Sequence, residues 1–196
     1  LLTSVLCSCS NNEETGIKTV KSVSSRNIIS SPYEDASVHY SANKEAFEIK
    51  AAASGLIELY VDPSTNTFSV FETTKAQLWS VLPLLDGVAA GEELVSDASL
   101  VSLEIIGGTD VYKLNSQDNS VAYGKASNTL IPNGAVFTFD IFPDEKTAEK
   151  QVHEKSDIGF RITITVTLKD GSMLVSCTHS NLTGNPDAYI ENIDLL

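Results

Sequence analysis

Short runs in which apolar and polar residues alternate recur along the chain, and clusters of turn-forming residues separate them. In the stretch 55–79, the alternation at 57–61 stops around Pro63 and Asn66 and resumes at 68–70. A period of two residues on both sides of a turn is typical of a β-hairpin. Proline fixes φ at the first corner of such a turn, and asparagine tolerates the left-handed conformation that brings the chain back. The pattern therefore predicts an all-β fold.

A more regular alternation occupies 160–168, where apolar residues alternate with Arg and Thr and lead to Asp170 and Gly171. Asp-Gly is a strong signal for a two-residue type I′ hairpin turn. With these two residues as the loop, the predicted opposed pairs are Lys169–Ser172, Leu168–Met173, Val166–Val175, Ile164–Cys177 and Ile162–His179. Cys177 then faces the core, where a free cysteine is a small buried hydrophobe rather than a nucleophile. His179 lies near the strand end as a packed or rim residue.

The remaining periodic segments are short and are separated by polar residues, glycine and proline, which favours an antiparallel β-sandwich of two sheets. A strand is expected at 46–53, with a helix as the alternative because Glu, Lys and Ala favour helix. Further strands are expected at 77–81, 101–105, from 111 to 114, and 137–141, and a short one at 121–123 within a loop at 115–128. A loop is expected at 83–97, and a short surface helix at 144–154.

The first ten residues, LLTSVLCSCS, resemble the end of a secretory signal, with a short apolar run followed by small residues and no initial Met. Ser8 before Cys9 resembles the lipobox of bacterial lipoproteins, which makes Cys9 the predicted lipidation site. Cys7 follows the bulky Leu6 and is the alternative. A disulfide between the two cysteines is a further alternative, although it would close an awkwardly small ring.

These segments predict a division of the chain into three parts. Residues 1–9 are interpreted as the remnant of a signal peptide with its lipobox, and 10–35 as a flexible tether rich in Ser, Asn, Thr and charge. Residues 36–196 are interpreted as one β-sandwich domain, because a chain of this size can bury a single core. The predicted location is extracellular, at a cell surface, with the membrane reached through the lipid anchor.

Composition and motifs exclude several classes of function. The formal net charge is −13, which opposes binding to nucleic acid because neutralising phosphates requires clustered Lys and Arg. The three histidines, His39, His153 and His179, are scattered without the spacing of metal ligands, so neither a metal nor a cofactor is expected. Neighbouring carboxylates such as Asp144 and Glu145 do not supply the two facing groups that glycoside hydrolysis needs. No catalytic residue is therefore assigned.

Three aromatic residues are candidates for carbohydrate contact. Trp79 is the only tryptophan, and together with Tyr60 and Phe71 it could form a row that stacks on sugar rings. A tryptophan beside Leu78 and other apolar residues is more often a core or rim residue, because it buries a large apolar area. A carbohydrate-binding module is thus one alternative function, and a stand-alone adhesion or assembly lipoprotein is another.

The segment 56–62 reads LIELYVD at the end of a strand, and a turn, the strand 68–72, Trp79 and Pro83 follow it. This order resembles the start of a family of uncharacterised extracellular bacterial proteins, often lipid-anchored, known only as a domain of unknown function. The resemblance covers roughly 46–196. It implies a supersandwich of the galactose-mutarotase type, similar to the domain that precedes the (β/α)₈ barrel in α-galactosidase-type and α-glucosidase-type glycoside hydrolases. It also implies a non-catalytic accessory role, with the following barrel as partner and carrier of the catalytic carboxylates.

The C-terminal end of the sequence is apolar up to the last residue, with Ile190, Ile193, Leu195 and Leu196. Such an ending differs from the polar or frayed ends of most domains, and an uncovered apolar patch marks an interface. We therefore expect a sandwich whose C-terminal side is covered by a following domain.

The first testable expectation concerns the lipobox. If Cys9 is lipidated, the protein made from the complete gene should carry a diacylglyceryl group on an N-terminal Cys9, as measured by mass spectrometry. Cys9→Ala should abolish the modification, and Cys7→Ala should leave it in place. An unmodified N-terminus within 10–35 would contradict the assignment.

Overall fold

The computed structural model describes residues 49–74 and 99–195 in full, and the backbone of short strands at 7–11, 18–19, 28–29 and 77–80. Strands dominate this part of the chain. The helical elements with described bounds are a π-helical turn at Gln117–Val121 and one α-helical turn, α1, at Glu145–Ala148. In chain order the strands are β1 Cys7–Asn11, β2 Lys18–Thr19, β3 Ile28–Ile29, β4 Ile49–Ser54, β5 Ile57–Asp62, β6 Thr67–Glu72, β7 Gln77–Ser80, β8 Val101–Gly107, β9 Asp110–Asn115, β10 Ala126–Ile131, β11 Gly134–Ile141, β12 Phe160–Lys169, β13 Ser172–Asn181 and β14 Ala188–Leu195.

The strands form three sheets, ordered β10-β11-β12-β13-β1-β2, β3-β7-β6-β5-β4 and β14-β8-β9. Neighbouring strands are antiparallel, except that β1 runs parallel to β13. The prediction of an all-β, antiparallel sandwich is confirmed, but the described strands form three sheets rather than the two expected. The galactose-mutarotase type of the sandwich stays a prediction.

One hydrophobic core joins the three sheets. The rings of Phe68 on β6 and Phe137 on β11 lie in tilted contact, with centroids 5.8 Å apart, and this contact brings the second sheet onto the first. Strand β8 contributes Val101, Leu103 and Ile105 to the same cluster. Burial of these apolar side chains is the main stabilising term of the fold, at about 25 cal/mol per Å² removed from water.

The β12–β13 hairpin has the predicted register at every position, including Ile164 opposite Cys177. Asp170 and Gly171 both have positive φ, 51° and 72°, as a type I′ turn requires. The Gly171 amide also donates a 3.0 Å hydrogen bond to Ser54 Oγ, so the tip of this hairpin contacts the end of β4. Cys177 is a free, fully buried thiol, as the alternation predicted.

The β5–β6 hairpin is also confirmed. Asp62 Oδ1 accepts a 2.8 Å hydrogen bond from the Ser64 amide, and Asn66 closes the turn with a φ of 53°. Both faces of this hairpin are buried, because Tyr60 and Ser69 are covered as well as the apolar residues that face the core.

The prediction for 115–128 was wrong. Val121–Tyr123 is not a strand, since the π-helical turn ends at Val121, and β10 begins at Ala126 where a loop was expected. Strand β10 lies at the edge of its sheet and carries polar residues on both faces, so its sequence lacks clear alternation. Strand β10 is positioned by its pairing with β11, to which a short turn at Asn133 joins it.

The other expected elements are present with shifted bounds. Strands β4, β7, β8, β9 and β11 form where alternation predicted them, and β4 is a strand rather than the alternative helix. The expected surface helix is the single turn α1. Residues 46–48 and the expected loop 83–97 lie outside the described residues.

The apolar C-terminal residues belong to β14, which pairs with β8. Ile190, Ile193 and Leu195 are partly buried against the core, so these three side chains do not form an open patch. Leu196 lies outside the described residues.

The β12 register gives a stability test. Ile164 is 2 % exposed, so Ile164→Asp buries an unpaired carboxylate at a cost of several kcal/mol, against a typical total stability of about 5–15 kcal/mol. Thr165 lies on the outward face, and Thr165→Asp should cost less than about 1 kcal/mol. Thermal denaturation should show an unfolded first variant and a folded second one. Equal melting temperatures would refute the assignment of faces.

Candidate functional site

Cys9 lies in β1, where its backbone pairs in register with that of Cys177 on the parallel strand β13. This placement concerns the backbone alone, and lipidation of Cys9 stays a prediction. The alternative residue, Cys7, pairs in the same way with Val175.

The three aromatic residues of the predicted sugar platform do not form one row across the paired strands. Tyr60 and Phe71 are 5 % and 8 % exposed, and the Tyr60 hydroxyl donates a 2.6 Å hydrogen bond to Glu58. The backbone of Trp79 pairs with Val70, whereas that of Phe71 pairs with Leu78, so Trp79 and Phe71 occupy alternate positions across β6 and β7. Tyr60 and Phe71 therefore offer little open ring surface, and sugar binding stays a prediction that depends on Trp79.

Carboxylates in the turns are occupied by hydrogen bonds from their own loops. Asp62 accepts from the amide and hydroxyl of Ser64 and from the Thr65 hydroxyl, at 2.6–2.8 Å. Asp144 caps α1 by accepting a 2.8 Å hydrogen bond from the Thr147 amide. These groups stabilise turns, and the neighbouring Asp144 and Glu145 do not form a facing acid and base.

Asp157 is the centre of a polar cluster outside the sheets. Its Oδ1 accepts a 2.6 Å hydrogen bond from Lys150, and its Oδ2 accepts one of 2.8 Å from the Glu154 amide. These bonds, the one from Lys150 first, hold the pKa of Asp157 below its usual value. The Asp157 carbonyl accepts from Thr183 Oγ1 at 2.8 Å and from Asn185 Nδ2 at 3.2 Å. The residue thus ties the α1–β12 connection to the β13–β14 connection.

The histidines in the described part do not assemble a metal site. His153 stacks on Phe142 with ring centroids 5.2 Å apart, and its Nδ1 lies 3.8 Å from Asp157 Oδ2. His179 is half-buried opposite Ile162, and burial lowers the pKa of its imidazole. Within 49–74 and 99–195, no three His, Cys, Asp or Glu side chains are placed to hold a metal ion together. His39 lies outside the described residues.

The outward face of the β14-β8-β9 sheet presents a row of apolar side chains. Tyr189, Ile106 and Val111 lie side by side in register across the three strands, and we call this row the Tyr189 strip. Tyr189 and Val111 are 53 % and 55 % exposed, and Ile106 is half-buried between them. In the next row Asn192 and Lys113 flank Glu104. An apolar row bordered by polar residues on a solvent-facing sheet is typical of a contact surface.

Sequence reasoning missed the Tyr189 strip. Ile106 and Val111 flank a Gly-Gly turn, and Tyr189 lies about eighty residues further along the chain, so no local pattern joins them. Strand alternation alone could have placed each of them opposite the core residues Ile105, Tyr112 and Ile190. The pairing of β14 with β8 was needed to bring them together.

Comparison of the chain with protein families, curated proteins and solved structures finds no match. Among the described helical segments, none is long and apolar enough to cross a membrane.

The Asp157 cluster gives a pH-dependent prediction. Because its folded pKa is lowered, the charged carboxylate stabilises the fold fully above the unfolded pKa of about 3.9, and this contribution is lost as pH falls through the folded pKa. Asp157→Asn should therefore lower the melting temperature at pH 7, and the difference from the unmodified protein should shrink towards pH 3.

The control is Asp170→Asn, which keeps a residue that tolerates positive φ in an exposed turn and should leave the melting temperature unchanged. An Asp157→Asn difference that is the same at pH 7 and pH 3 would show that the carboxylate charge does not stabilise the loop.

Proposed function

We propose that the chain is a non-catalytic accessory domain of a surface-anchored protein related to glycoside hydrolases, and that it packs against a catalytic barrel that follows it. The observation that carries the proposal is that four aspartates are engaged in hydrogen bonds within the domain. Asp62, Asp144 and Asp157 each accept several hydrogen bonds from their own loops. Asp140 forms a two-bond ion pair with Arg161 across β11 and β12, at 2.7 and 2.8 Å.

Carboxylates engaged in this way are poor candidates for acid–base work on a substrate. A glycosidase needs one carboxyl group with a raised pKa and a second one across a cleft. The pKa of Asp157 is instead lowered by its hydrogen-bond donors, and the Asp140–Arg161 pair lies on the outward face of its sheet. These four aspartates thus support a stabilising role within this domain.

The resemblance to the extracellular family supplies the rest of the proposal. Its motif, Leu56 to Asp62 followed by 68–72, forms the β5–β6 hairpin, which packs on the first sheet through Phe68. The motif therefore belongs to the structural centre of the domain, in keeping with a supersandwich that supports a neighbouring domain. The proposed anchoring at the cell surface depends on lipidation of Cys9.

The test compares the isolated chain with the full product of its gene. The isolated chain should not release nitrophenol from nitrophenyl α-galactoside or α-glucoside, whereas the full product should hydrolyse one of them. Asp157→Asn in the full product is the matched control, and it should leave turnover at 25 °C unchanged because Asp157 stabilises a loop. Hydrolysis by the isolated chain, or a gene that encodes no barrel after it, would refute the accessory role.

A further inference from the structure

Acidic residues outnumber basic ones on and beside the strands that carry the Tyr189 strip. Strands β8, β9 and β14 carry one basic residue, Lys113, against four acidic ones, and a further acidic residue directly precedes β14. The five acidic residues are Glu104, Asp110, Asp187, Glu191 and Asp194. All of them are exposed except Glu104, which is half-buried on the outward face. This sheet therefore presents an apolar row inside a negatively charged border.

A surface of this kind favours a partner with apolar side chains at its centre and basic side chains around them. Tyrosine is enriched in the energetically dominant part of interfaces, since one rigid side chain supplies a large contact area. Opposite charges at the border guide and orient the partner, whereas like charges placed together cost several kcal/mol. A second copy of this chain would place this acidic border against an identical one, so the charge argues against a homodimer through this face.

The area of the face indicates whether the partner is a separate protein or a domain of the same chain. Three strands about 4.8 Å apart and eight residues of about 3.3 Å each span about 14 by 26 Å, or roughly 370 Å². A stable complex of separate proteins buries about 800 Å² on each partner, but domains of one chain make contacts of about 600–1,500 Å² in total. A covalent connection between two domains gives each an effective concentration in the millimolar range at the other, which compensates for a small contact area. The area therefore favours a partner in the same polypeptide.

We infer that the outward face of the β14-β8-β9 sheet, centred on the Tyr189 strip, is the surface on which a basic face of the following domain packs. The inference rests on the proposed function, which supplies that domain. Strand β14 belongs to this sheet, so a domain that continues from Leu195 would begin at the edge of the same sheet.

Zero-length carbodiimide cross-linking of the full gene product tests the inference, because the reagent joins a carboxylate to a lysine in direct contact. We expect cross-links from Glu104, Glu191 or Asp194 to lysines beyond residue 196. Tyr189→Lys removes the aromatic contact and adds a charge of the partner's sign, so it should reduce their yield about fivefold, the change expected when about 1 kcal/mol is lost.

The matched control is Thr129→Lys, which adds the same charge to an exposed position on β10, in the six-stranded sheet, and should leave the cross-linking yield unchanged. If Tyr189→Lys lowers the melting temperature of the isolated chain, Val111→Lys at the opposite end of the strip replaces it. Cross-links from a different face, yields insensitive to both variants, or links between two copies would overturn the inference and leave the accessory role intact. A gene product without a following domain would overturn both.

Discussion

The regular alternation of β12 is the constraint on which the rest of the structure depends. Its apolar residues from Phe160 to Leu168 are all buried, and its central position lets them contact both neighbouring strands. A slip of one residue would turn this whole row to solvent and bring Arg and Thr into the core. The Asp170–Gly171 turn prevents such a slip, because its positive φ values select a two-residue loop and hence one register.

Polar side chains of the π-helical turn and of β10, together with Ser116, then fix the start of β8 and the β5–β6 turn. Ser116 Oγ accepts hydrogen bonds from the Leu100 amide at 3.0 Å and the Val101 amide at 3.4 Å, which fixes the start of β8. Gln117 donates 2.8 Å to the Thr65 carbonyl, and Asn128 donates 2.8 Å to Asn66 Oδ1. The π-helical turn and β10 thus hold the β5–β6 turn, which apolar packing alone would leave free to shift.

The difference between local alternation and polar contacts that are distant in sequence explains which parts of the fold could be predicted. The hairpins whose strands alternate and whose turns contain Asp-Gly or Pro and Asn were both predicted, because these signals are local, and the register was predicted for the Asp-Gly hairpin. The segment 115–128 was misread because its polar residues suggested a loop, although Ser116, Gln117 and Ser120 are buried. Whether a polar residue is buried depends on partners far away in sequence, such as Leu100 or Thr65. The candidate site has the same property, since Tyr189 meets Ile106 only through the pairing of β14 with β8.

The placement of charge separates the two roles of acidic residues in this protein. Inside the loops, Asp62 and Asp157 accept hydrogen bonds from nearby donors, so their charge is compensated locally and contributes to stability. On the β14-β8-β9 sheet, the acidic residues greatly outnumber the one lysine and lie beside exposed apolar side chains. A surplus of negative charge does not strengthen a fold, and it disfavours self-association while it guides an oppositely charged surface. The net charge of −13 is thus consistent with a domain whose recognition chemistry lies on one sheet face and whose interior chemistry maintains its own shape.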